Sequence, residues 1–295
     1  MILPYKKIKL KLKGEDKFIF KKFPGFILRS ALGRSLYKTY CIQRNKVCKE
    51  CIIKETCTYS FLFESNVSYR FEVPAFSHTP PHPMFISDFS VEEDTIFLEL
   101  TFIGEKAISY IPYTIASFQR MKYYGLGKTR IKFNEQVIEE IEDKWIYENT
   151  PLFKRKRKNI TIFLKTPLSI FTEGKILYDF EPFIFFKSIL RRVYLLTLYY
   201  GDFKEKDKLL FNDYYKQLKE DWDRYNIEIK KKNIKKRRYK YYSSRQEKEI
   251  IYKGIIGEIK LKGEFDNRLF SLLKAGELFN TGKLISFSFG KIVVS

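Results

Sequence analysis

The chain switches between strand-like and helix-like hydrophobic spacing in one order that is used twice. Apolar residues at every second position predict strands, and apolar residues three or four positions apart predict helices. In the first half these rules predict strands at Ile2–Leu12, Thr95–Ile103 and Arg130–Ile138 and helices at Phe26–Tyr40 and Glu105–Tyr123. A cysteine-rich insertion, Cys41–Cys57, interrupts this half.

The second half repeats the order around an insertion of its own. Its predicted elements are strands at Asn159–Lys165, Ile234–Ser243, Gly254–Gly263 and Leu284–Val294, helices at Glu181–Tyr200 and Asn267–Phe279, and a charged, largely helical insertion at Asp207–Lys232. The second half fits the order strand–helix–strand–strand–helix–strand, which is the ferredoxin-like pattern, and the first half fits it with the Pro-rich segment His78–Pro83, a loop or edge, between its first helix and Thr95–Ile103. We therefore predict an α+β protein with two ferredoxin-like domains, 1–148 and 149–295. The boundary lies near five consecutive basic residues, Lys154–Lys158.

The charge balance predicts a polyanionic partner. Fifty-six Lys and Arg residues against 35 Asp and Glu residues give the 295-residue chain a net charge of +21. Nucleic acid and an anionic membrane surface are the two classes of partner that fit. The longest apolar stretch, around Val193–Tyr200, is too short to span a bilayer. The first residues also lack the continuous apolar core of a signal peptide. These features favour a cytoplasmic protein that binds nucleic acid, with no membrane partner.

A basic tract at Lys230–Lys240 has eight Lys or Arg residues in eleven positions. A solvated charged surface is one interpretation. The other is an RNA contact in which the cations follow the phosphates and nearby tyrosines stack on unpaired bases. We predict backbone contacts from this tract and from the basic run at the domain boundary, through Lys154, Arg155, Arg157, Lys235, Arg237 and Arg238.

A glycine-containing segment, Thr281–Ser295, follows the last predicted helix. Glycine accepts a positive φ and lets a ligand approach the backbone, and successive N–H groups in such a turn can face an anion. Gly282, Lys283, Ser286 and Gly290 are the predicted RNA-binding residues, while Phe287 and Phe289 are expected in the core. A weaker echo lies at Tyr124–Thr129. The alternative is a turn that only joins a helix to a strand.

The four cysteines of the chain, Cys41, Cys48, Cys51 and Cys57, have the spacing C-x6-C-x2-C-x5-C. Four thiolates satisfy tetrahedral zinc, and clustered cysteines in a cytosolic protein favour a metal over disulfides. The sequence therefore predicts a structural zinc site without a catalytic role. Disulfides, an iron–sulfur cluster and unliganded thiols remain alternatives.

Four stretches of the sequence carry a family resemblance: FPGFILRSALGRSLYKTYC (Phe23–Cys41), CTYSFLFES (Cys57–Ser65), IPYTIASFQRMKYYGLGKTR (Ile111–Arg130), and YYSSRQ, GIIGEI and GKLISFSFG within Tyr241–Gly290. In this order, over nearly the whole chain, they resemble the CRISPR repeat-processing endoribonucleases of the RAMP superfamily. The resemblance implies tandem ferredoxin-like domains of the RAMP type that bind precursor CRISPR RNA and cleave it within its repeats.

The resemblance also implies the chemistry, which is a metal-independent attack of a 2′-hydroxyl on the adjacent phosphate, leaving a 2′,3′-cyclic phosphate. Relatives place catalytic groups at the end of the first helix, where this chain has Tyr37, Lys38 and Tyr40. The only histidines, His78 and His82, lie in a Pro-rich segment and are expected to be surface or turn residues. No catalytic cofactor is implied.

Further RNA contacts follow from the same resemblance. Ser243 and Arg245 lie in a family motif after the basic tract, and Arg29 and Arg34 lie on the first helix, outside its apolar stripe. Asn280 stands where many relatives have a histidine, and its amide does not titrate at neutral pH. This departure favours an alternative function, a catalytically weak or inactive subunit that holds CRISPR RNA within an effector complex. An RNA-binding protein outside CRISPR systems is a third possibility.

Overall fold

The computed structural model describes residues 1–43, 48–65, 80–126, 129, 131–147, 157–201, 211–243 and 247–295. The chain divides into two compact units. The N-terminal unit comprises Leu3–Lys144 and Leu195–Asp202, and the C-terminal unit comprises Met1–Ile2, Trp145–Tyr194 and Phe203–Ser295. The predicted domain boundary at residues 148 and 149 stays a prediction.

The N-terminal unit is built on a four-stranded sheet. In chain order its elements are β1 (Ile2–Gly14), α1 (Pro24–Tyr40), β2 (Met84–Glu92), β3 (Thr95–Ile103), α2 (Glu105–Ser109), α3 (Ile111–Phe118), α4 (Met121–Tyr124) and β4 (Ile131–Ile146). The sheet order is β2-β3-β1-β4, and β3 is antiparallel to both of its neighbours. Alternate residues of β1, such as Ile8 and Leu10, share one core with Leu28, Leu32 and Leu36 of α1, as the period-two and helical spacings require.

The C-terminal unit repeats this plan. Its elements are β5 (Arg157–Leu168), β6 (Phe171–Thr172), β7 (Lys175–Ile176), α5 (Pro182–Tyr200), α6 (Phe211–Glu220), α7 (Trp222–Tyr225), β8 (Glu228–Ser243), β9 (Lys248–Phe265), α8 (Asn267–Phe279) and β10 (Ile292–Val294). The sheet order is β10-β5-β9-β8, and the short strands β6 and β7 form a separate hairpin. The core buries Phe185, Val193, Ile259, Leu272 and Phe279.

The two four-stranded sheets have the same strand order when the four strands of each sheet are numbered along the chain. The second strand lies at one edge, followed by the third, the first and the fourth. This order is the one expected of strand–helix–strand–strand–helix–strand units. The predicted α+β fold with tandem ferredoxin-like units is confirmed.

Two predicted elements are wrong in part. The strand expected at Leu284–Val294 is only Ile292–Val294, because a single 3-10 turn at Ile285–Phe287 precedes it and Leu284 and Ser288 both have positive φ. The helical insertion does not reach Lys232, because β8 already begins at Glu228 and pairs there with Lys262 of β9. Residues 207–210 of that insertion lie outside the described residues.

No helix within the described part of the chain combines the length and the apolar character that a membrane crossing requires.

Candidate nucleic-acid interface

The dominant surface feature of the C-terminal unit is a long, basic, two-stranded ribbon formed by β8 and β9. The strands pair continuously from Lys231↔Lys260 to Ser243↔Lys248. The cationic side chains of β8 are exposed along it: Lys230, Lys231, Lys232, Lys235, Lys236, Arg237, Arg238 and Lys240. Lys240 pairs with Glu249 at 3.2 Å, whereas Lys235, Arg237 and Arg238 form no ion pair with any described residue. We call this pair of strands the basic ribbon.

One face of the basic ribbon carries an aromatic patch. Tyr239 and Tyr241 are two residues apart and point to the same face, and Tyr252 lies opposite Tyr239. The ring centroids of Tyr241 and Tyr252 are 5.8 Å apart in a stacked arrangement. By the same alternation, Lys235 and Arg237 lie on this face. Cations and rings therefore share one surface, which is the combination that single-stranded nucleic acid requires.

The loop after α8 packs against this aromatic patch. The rings of Phe287 and Tyr241 are 5.2 Å apart, and those of Phe289 and Tyr239 are 5.8 Å apart. Phe289 is fully buried, whereas Phe287 is only half-buried. These contacts hold the loop with exposed Lys283 and half-buried Ser286 against the basic ribbon. The structure thus brings together the basic tract and the glycine-containing segment that the sequence singled out separately.

The two glycines of this loop are required by the packing of the backbone. Gly290 has a φ of +75°, and a Cβ at this position would lie 1.8 Å from the carbonyl oxygen of Thr281. Gly282 has a φ of +86°, and its Cβ would lie 2.5 Å from the oxygen of Ser169. No other residue fits either position without moving the backbone.

Many N–H groups of the loop are already hydrogen-bonded within the protein. The N–H groups of Thr281, Lys283 and Gly290 donate to the carbonyl groups of Gly290, Ser169 and Pro167, at 2.9, 2.7 and 2.9 Å. Those of Phe287 and Ser288 close the 3-10 turn. These five bonds interrupt the row of backbone donors that the sequence predicted for an anion.

Asn280 is an internal support of the same loop. It is 1 % exposed, has a φ of +56°, and donates through Nδ2 to the carbonyl oxygen of Phe289 at 3.2 Å. Asn280 therefore holds the chain between α8 and β10 in position.

The proposed catalytic residues lie at the end of α1 in the N-terminal unit. Tyr40 donates its hydroxyl to the carbonyl oxygen of Tyr113 at 2.7 Å, and burial, with a smaller contribution from Tyr113, raises the pKa of its phenol. The Tyr37 ring meets that of Tyr59 edge-on at 5.2 Å. Lys38 is half-buried in the last turn of the helix. These are protein contacts that leave the hydroxyl of Tyr40 protonated at neutral pH.

Arg29 lies inside the N-terminal unit, and the expectation that it is on an outer face of α1 is wrong. It is 8 % exposed, and its guanidinium lies 4.0 Å from the centroid of the Phe63 ring. Its Nη2 is 3.3 Å from Nε2 of His82, whose Nδ1 is hydrogen-bonded to the hydroxyl of Ser65. His82 is therefore half-buried and held by polar partners, not a free surface residue. Arg34 is exposed as expected.

Several predicted residues are outside what the structure describes. Lys154, Arg155, Arg245 and His78 lie outside the described residues, and the side chains of Arg157 and Ser243 are not described either. Their proposed RNA contacts stay predictions.

The four cysteines are half-buried and unbridged. Burial raises the pKa of the Cys48 thiol to about 11, with smaller contributions from Glu64 and the other three cysteines. Among the described residues, which include all four, no group of three or more His, Cys, Asp or Glu side chains is placed to hold a metal ion. In this arrangement the thiols do not form the tetrahedral site predicted from their spacing, and zinc stays a prediction.

Two aromatic residues that complete the patch, Tyr252 and Phe287, were not predicted there from the sequence. Tyr252 lies on β9 outside every predicted motif, and Phe287 was expected in the core rather than beside Tyr241 and Tyr252. A register assignment for the ribbon would have found Tyr252, because Tyr239 and Tyr252 are directly opposite.

Two family models match the chain, one over each half. A family model described as CRISPR-associated endoribonuclease Cas6 matches residues 162–292, and a model described as the N-terminal domain AF_1859_N matches residues 3–161. No curated protein matched the chain by sequence.

Among solved structures, Cas6 from Thermus thermophilus superposes with a TM-score of 0.58 at 14% identity, covering 99% of each chain. A Cas6 product complex gives the same TM-score and identity over 99% of this chain and 100% of that one. A chain of a partial Cas6-RT-Cas1–Cas2 complex superposes with a TM-score of 0.53 at 12% identity, covering 99% of this chain and 46% of that chain.

Proposed function

We propose that the chain binds precursor CRISPR RNA and cleaves it within the repeats, because residues 162–292 match the family model of the CRISPR-associated endoribonuclease Cas6. This match agrees with the resemblance identified from the four sequence stretches. Repeat RNA is the proposed partner. Association with other CRISPR proteins is a further proposal, supported by the fold shared with one chain of the Cas6-RT-Cas1–Cas2 complex.

The observation that carries the proposal is the joining of the basic ribbon to the loop after α8. Lys235 and Arg237 share a face with Tyr239 and Tyr241, and Phe287 holds the loop of Lys283 against that face. Cations that follow a sugar–phosphate strand supply affinity without sequence preference, and aromatic faces stack on unpaired bases. A merely solvated surface would not need the rings to be gathered beside the charges.

For the cleavage step we propose transesterification within the RNA. The 2′-oxygen attacks the adjacent phosphorus, the bond from phosphorus to the 5′-oxygen breaks, and the products are a 2′,3′-cyclic phosphate and a 5′-hydroxyl. The 2′-hydroxyl loses a proton and the leaving oxygen gains one, so no water is consumed. Correct alignment of the attacking and leaving oxygens lowers the barrier further.

The proposed roles of the α1 residues follow from their contacts. Lys38 would stabilise the negative charge that grows on the phosphate. Tyr40, whose raised phenol pKa keeps the hydroxyl protonated, would act as a hydrogen-bond or proton donor rather than as a base, and its hydroxyl would exchange the bond to the carbonyl of Tyr113 for one to the RNA. Tyr37 would position these groups or take part in the proton transfer. A site of this kind relies on alignment and charge, so turnover should be slow.

The test is cleavage of cognate repeat RNA by the pure protein in EDTA. Cleavage at one position, abolished by a 2′-deoxy nucleotide at that position, is the expected result, together with a cyclic phosphate end. Tightly bound but intact RNA would instead establish the alternative, an inactive RNA-holding subunit. Equal affinity for unrelated RNAs would support a general RNA-binding protein.

For the four cysteines we propose a structural zinc site that forms when the metal binds. The proposal is supported by the C-x2-C pair of Cys48 and Cys51. It is also supported by the other three cysteines, which lie close enough to Cys48 to contribute to its raised pKa. Zinc would draw the thiolates into tetrahedral geometry and stabilise the insertion after α1. We expect about one mole of zinc per mole of untagged protein. Less than about half a mole would contradict it.

A further inference from the structure

A cavity of about 550 Å³ lies in the C-terminal unit between the β6–β7 hairpin and the outer edge of β8. The hairpin and the residues after it supply Lys175, Tyr178 and Asp179, and β8 supplies Lys232, Ile234 and Lys236. We call this cavity the hairpin pocket. Its volume is within the range of small-ligand sites. No motif identified from the sequence includes the hairpin.

The hairpin pocket is built around the ring of Tyr178, which is half-buried. The Nζ of Lys236 lies 5.3 Å from the ring centroid, and that of Lys253 lies 5.9 Å from it. The two lysines come from facing strands of the basic ribbon. Two ammonium groups that lie over an aromatic ring offer an anion two positive charges to approach, and the ring itself offers a planar base something to stack on.

The wall beside this ring is fixed by an ion pair. Both carboxylate oxygens of Asp179 accept from Nζ of Lys232, at 2.7 and 2.8 Å. Asp179 also accepts from the N–H of Phe180. Lys232 is thereby committed to Asp179, whereas Lys236 and Lys253 form no ion pair with any described residue. These two cations next to Tyr178, together with Lys175 of the hairpin, remain for a ligand.

A second aromatic–lysine pair lies on the same hairpin. Phe171 is 45% exposed, and Nζ of Lys283 lies 5.6 Å from its ring centroid. Lys283 belongs to the loop after α8, so the hairpin connects that loop with the hairpin pocket. A strand of RNA that follows Lys283 would therefore meet Phe171 and Tyr178 in turn along one hairpin.

We propose that the hairpin pocket binds one unpaired nucleotide of the RNA, with the base stacked on Tyr178 and an adjacent phosphate held by Lys236 and Lys253. This inference rests on the proposed RNA-binding function and adds a nucleotide site outside the basic tract and the loop. The edges of most bases carry amino or imino donors, and the carboxylates of Asp179 and Glu173 lie in the wall as acceptors.

The experiment compares Tyr178→Ala, Tyr178→Leu and Tyr178→Phe with the wild-type protein in binding to repeat RNA. Removing one stacked base should weaken binding about 5- to 150-fold in the Ala and Leu variants. The Phe variant keeps the ring and should bind within about twofold of wild type. Tyr123→Ala, which removes an 81% exposed tyrosine from the N-terminal unit, is the matched control and should bind like wild type.

A fluorescent adenine analogue placed successively along the RNA gives the second readout. Wild type and Tyr178→Phe should quench it at one position, and Tyr178→Leu should not. Unchanged affinity and quenching in the Ala and Leu variants, while wild type binds RNA tightly, would overturn the site alone. Equal losses in the Phe and Leu variants would overturn stacking. Absence of RNA binding by wild type would overturn the proposed function as well.

Competition with free mononucleotides tests whether the hairpin pocket binds a nucleotide of the RNA chain or a free nucleotide. If the hairpin pocket serves the RNA chain, each free mononucleotide should fail to displace bound RNA at millimolar concentration, because it lacks the neighbouring contacts. Displacement that depends on Tyr178 would assign the hairpin pocket to a free nucleotide and contradict the RNA assignment.

Discussion

Gly290→Ala should unfold the loop after α8 and thereby lower the free energy of unfolding of the C-terminal unit. The new Cβ would lie 1.8 Å from the carbonyl oxygen of Thr281, whereas ordinary contacts begin at 3.4 Å. The backbone must therefore separate. Separation breaks the hydrogen bond from the N–H of Thr281 to the oxygen of Gly290 and the bond from the N–H of Gly290 to the oxygen of Pro167.

Gly174→Ala is the matched control, because it isolates the cost of the backbone angle. Gly174 has a φ of +74° against +75° for Gly290, but a Cβ there meets nothing within 4 Å. Left-handed φ costs Ala about 1–2 kcal/mol, partly offset by about 0.4–1 kcal/mol from the stiffer unfolded chain. Gly290→Ala has this cost plus two hydrogen bonds of about 0.5–1.5 kcal/mol each. The difference between the variants should be at least about 1–3 kcal/mol.

Urea unfolding followed by tryptophan fluorescence measures the difference. Both tryptophans of the chain, Trp145 and Trp222, belong to the C-terminal unit, so the signal reports that unit. The midpoint for Gly290→Ala should be clearly below that for Gly174→Ala at an unchanged slope. Equal midpoints would show that the loop accommodates the new Cβ without a loss of stability. In that case glycine would be required at position 290 by a ligand rather than by the backbone.

Three further predictions test the interface and the α1 site. Replacing Arg237 and Arg238 together by Ala should lower the slope of log affinity against log salt by about 1.4, or 0.7 for each single-strand phosphate contact; an unchanged slope would place the RNA elsewhere. Asn280→Ala removes the buried bond to the carbonyl of Phe289 and should cost about 1–3 kcal/mol in the same urea assay; a neutral effect would show that the bond is not needed. Tyr40→Phe should slow cleavage with little change in RNA affinity. Because burial raises the phenol pKa of Tyr40 above its ordinary value, the wild-type rate should show no loss from Tyr40 ionisation between pH 7 and 9. A decline there that Tyr40→Phe removes would contradict the assignment.

Most strands of the sheets were predictable because their residues obey simple periods. β3 and α8 have the predicted bounds, Thr95–Ile103 and Asn267–Phe279, and the repeated order of elements agrees with the strand order of both sheets. β2 (Met84–Glu92) was not among the predicted strands. The loop after α8 was not predictable in the same way. Its alternating apolar residues imitate a strand, but Leu284 and Ser288 adopt positive φ, which local preference disfavours for both residues.

Arg29 shows why the polar interior of the N-terminal unit could not be read from the sequence. Helical spacing placed it beside, not within, the apolar stripe of α1. It is nevertheless buried, because the ring of Phe63 and the imidazole of His82 come from segments 34 and 53 residues away. A buried charge needs such partners, and local periodicity carries no information about them.

Asn280 has a structural role in the C-terminal unit that is separate from any role in catalysis. Its amide holds the loop between α8 and β10 through the carbonyl of Phe289, and Phe289 in turn packs on Tyr239 of the basic ribbon. The residue that cannot carry a proton thus supports the RNA-binding surface. The enzyme and the inactive subunit therefore share the same proposed interface in the C-terminal unit. They differ only in whether Tyr37, Lys38 and Tyr40 of α1 act on the phosphate. RNA binding should consequently survive substitutions of Tyr37, Lys38 and Tyr40, and a loss of cleavage in these variants without a loss of affinity would distinguish catalysis from RNA retention.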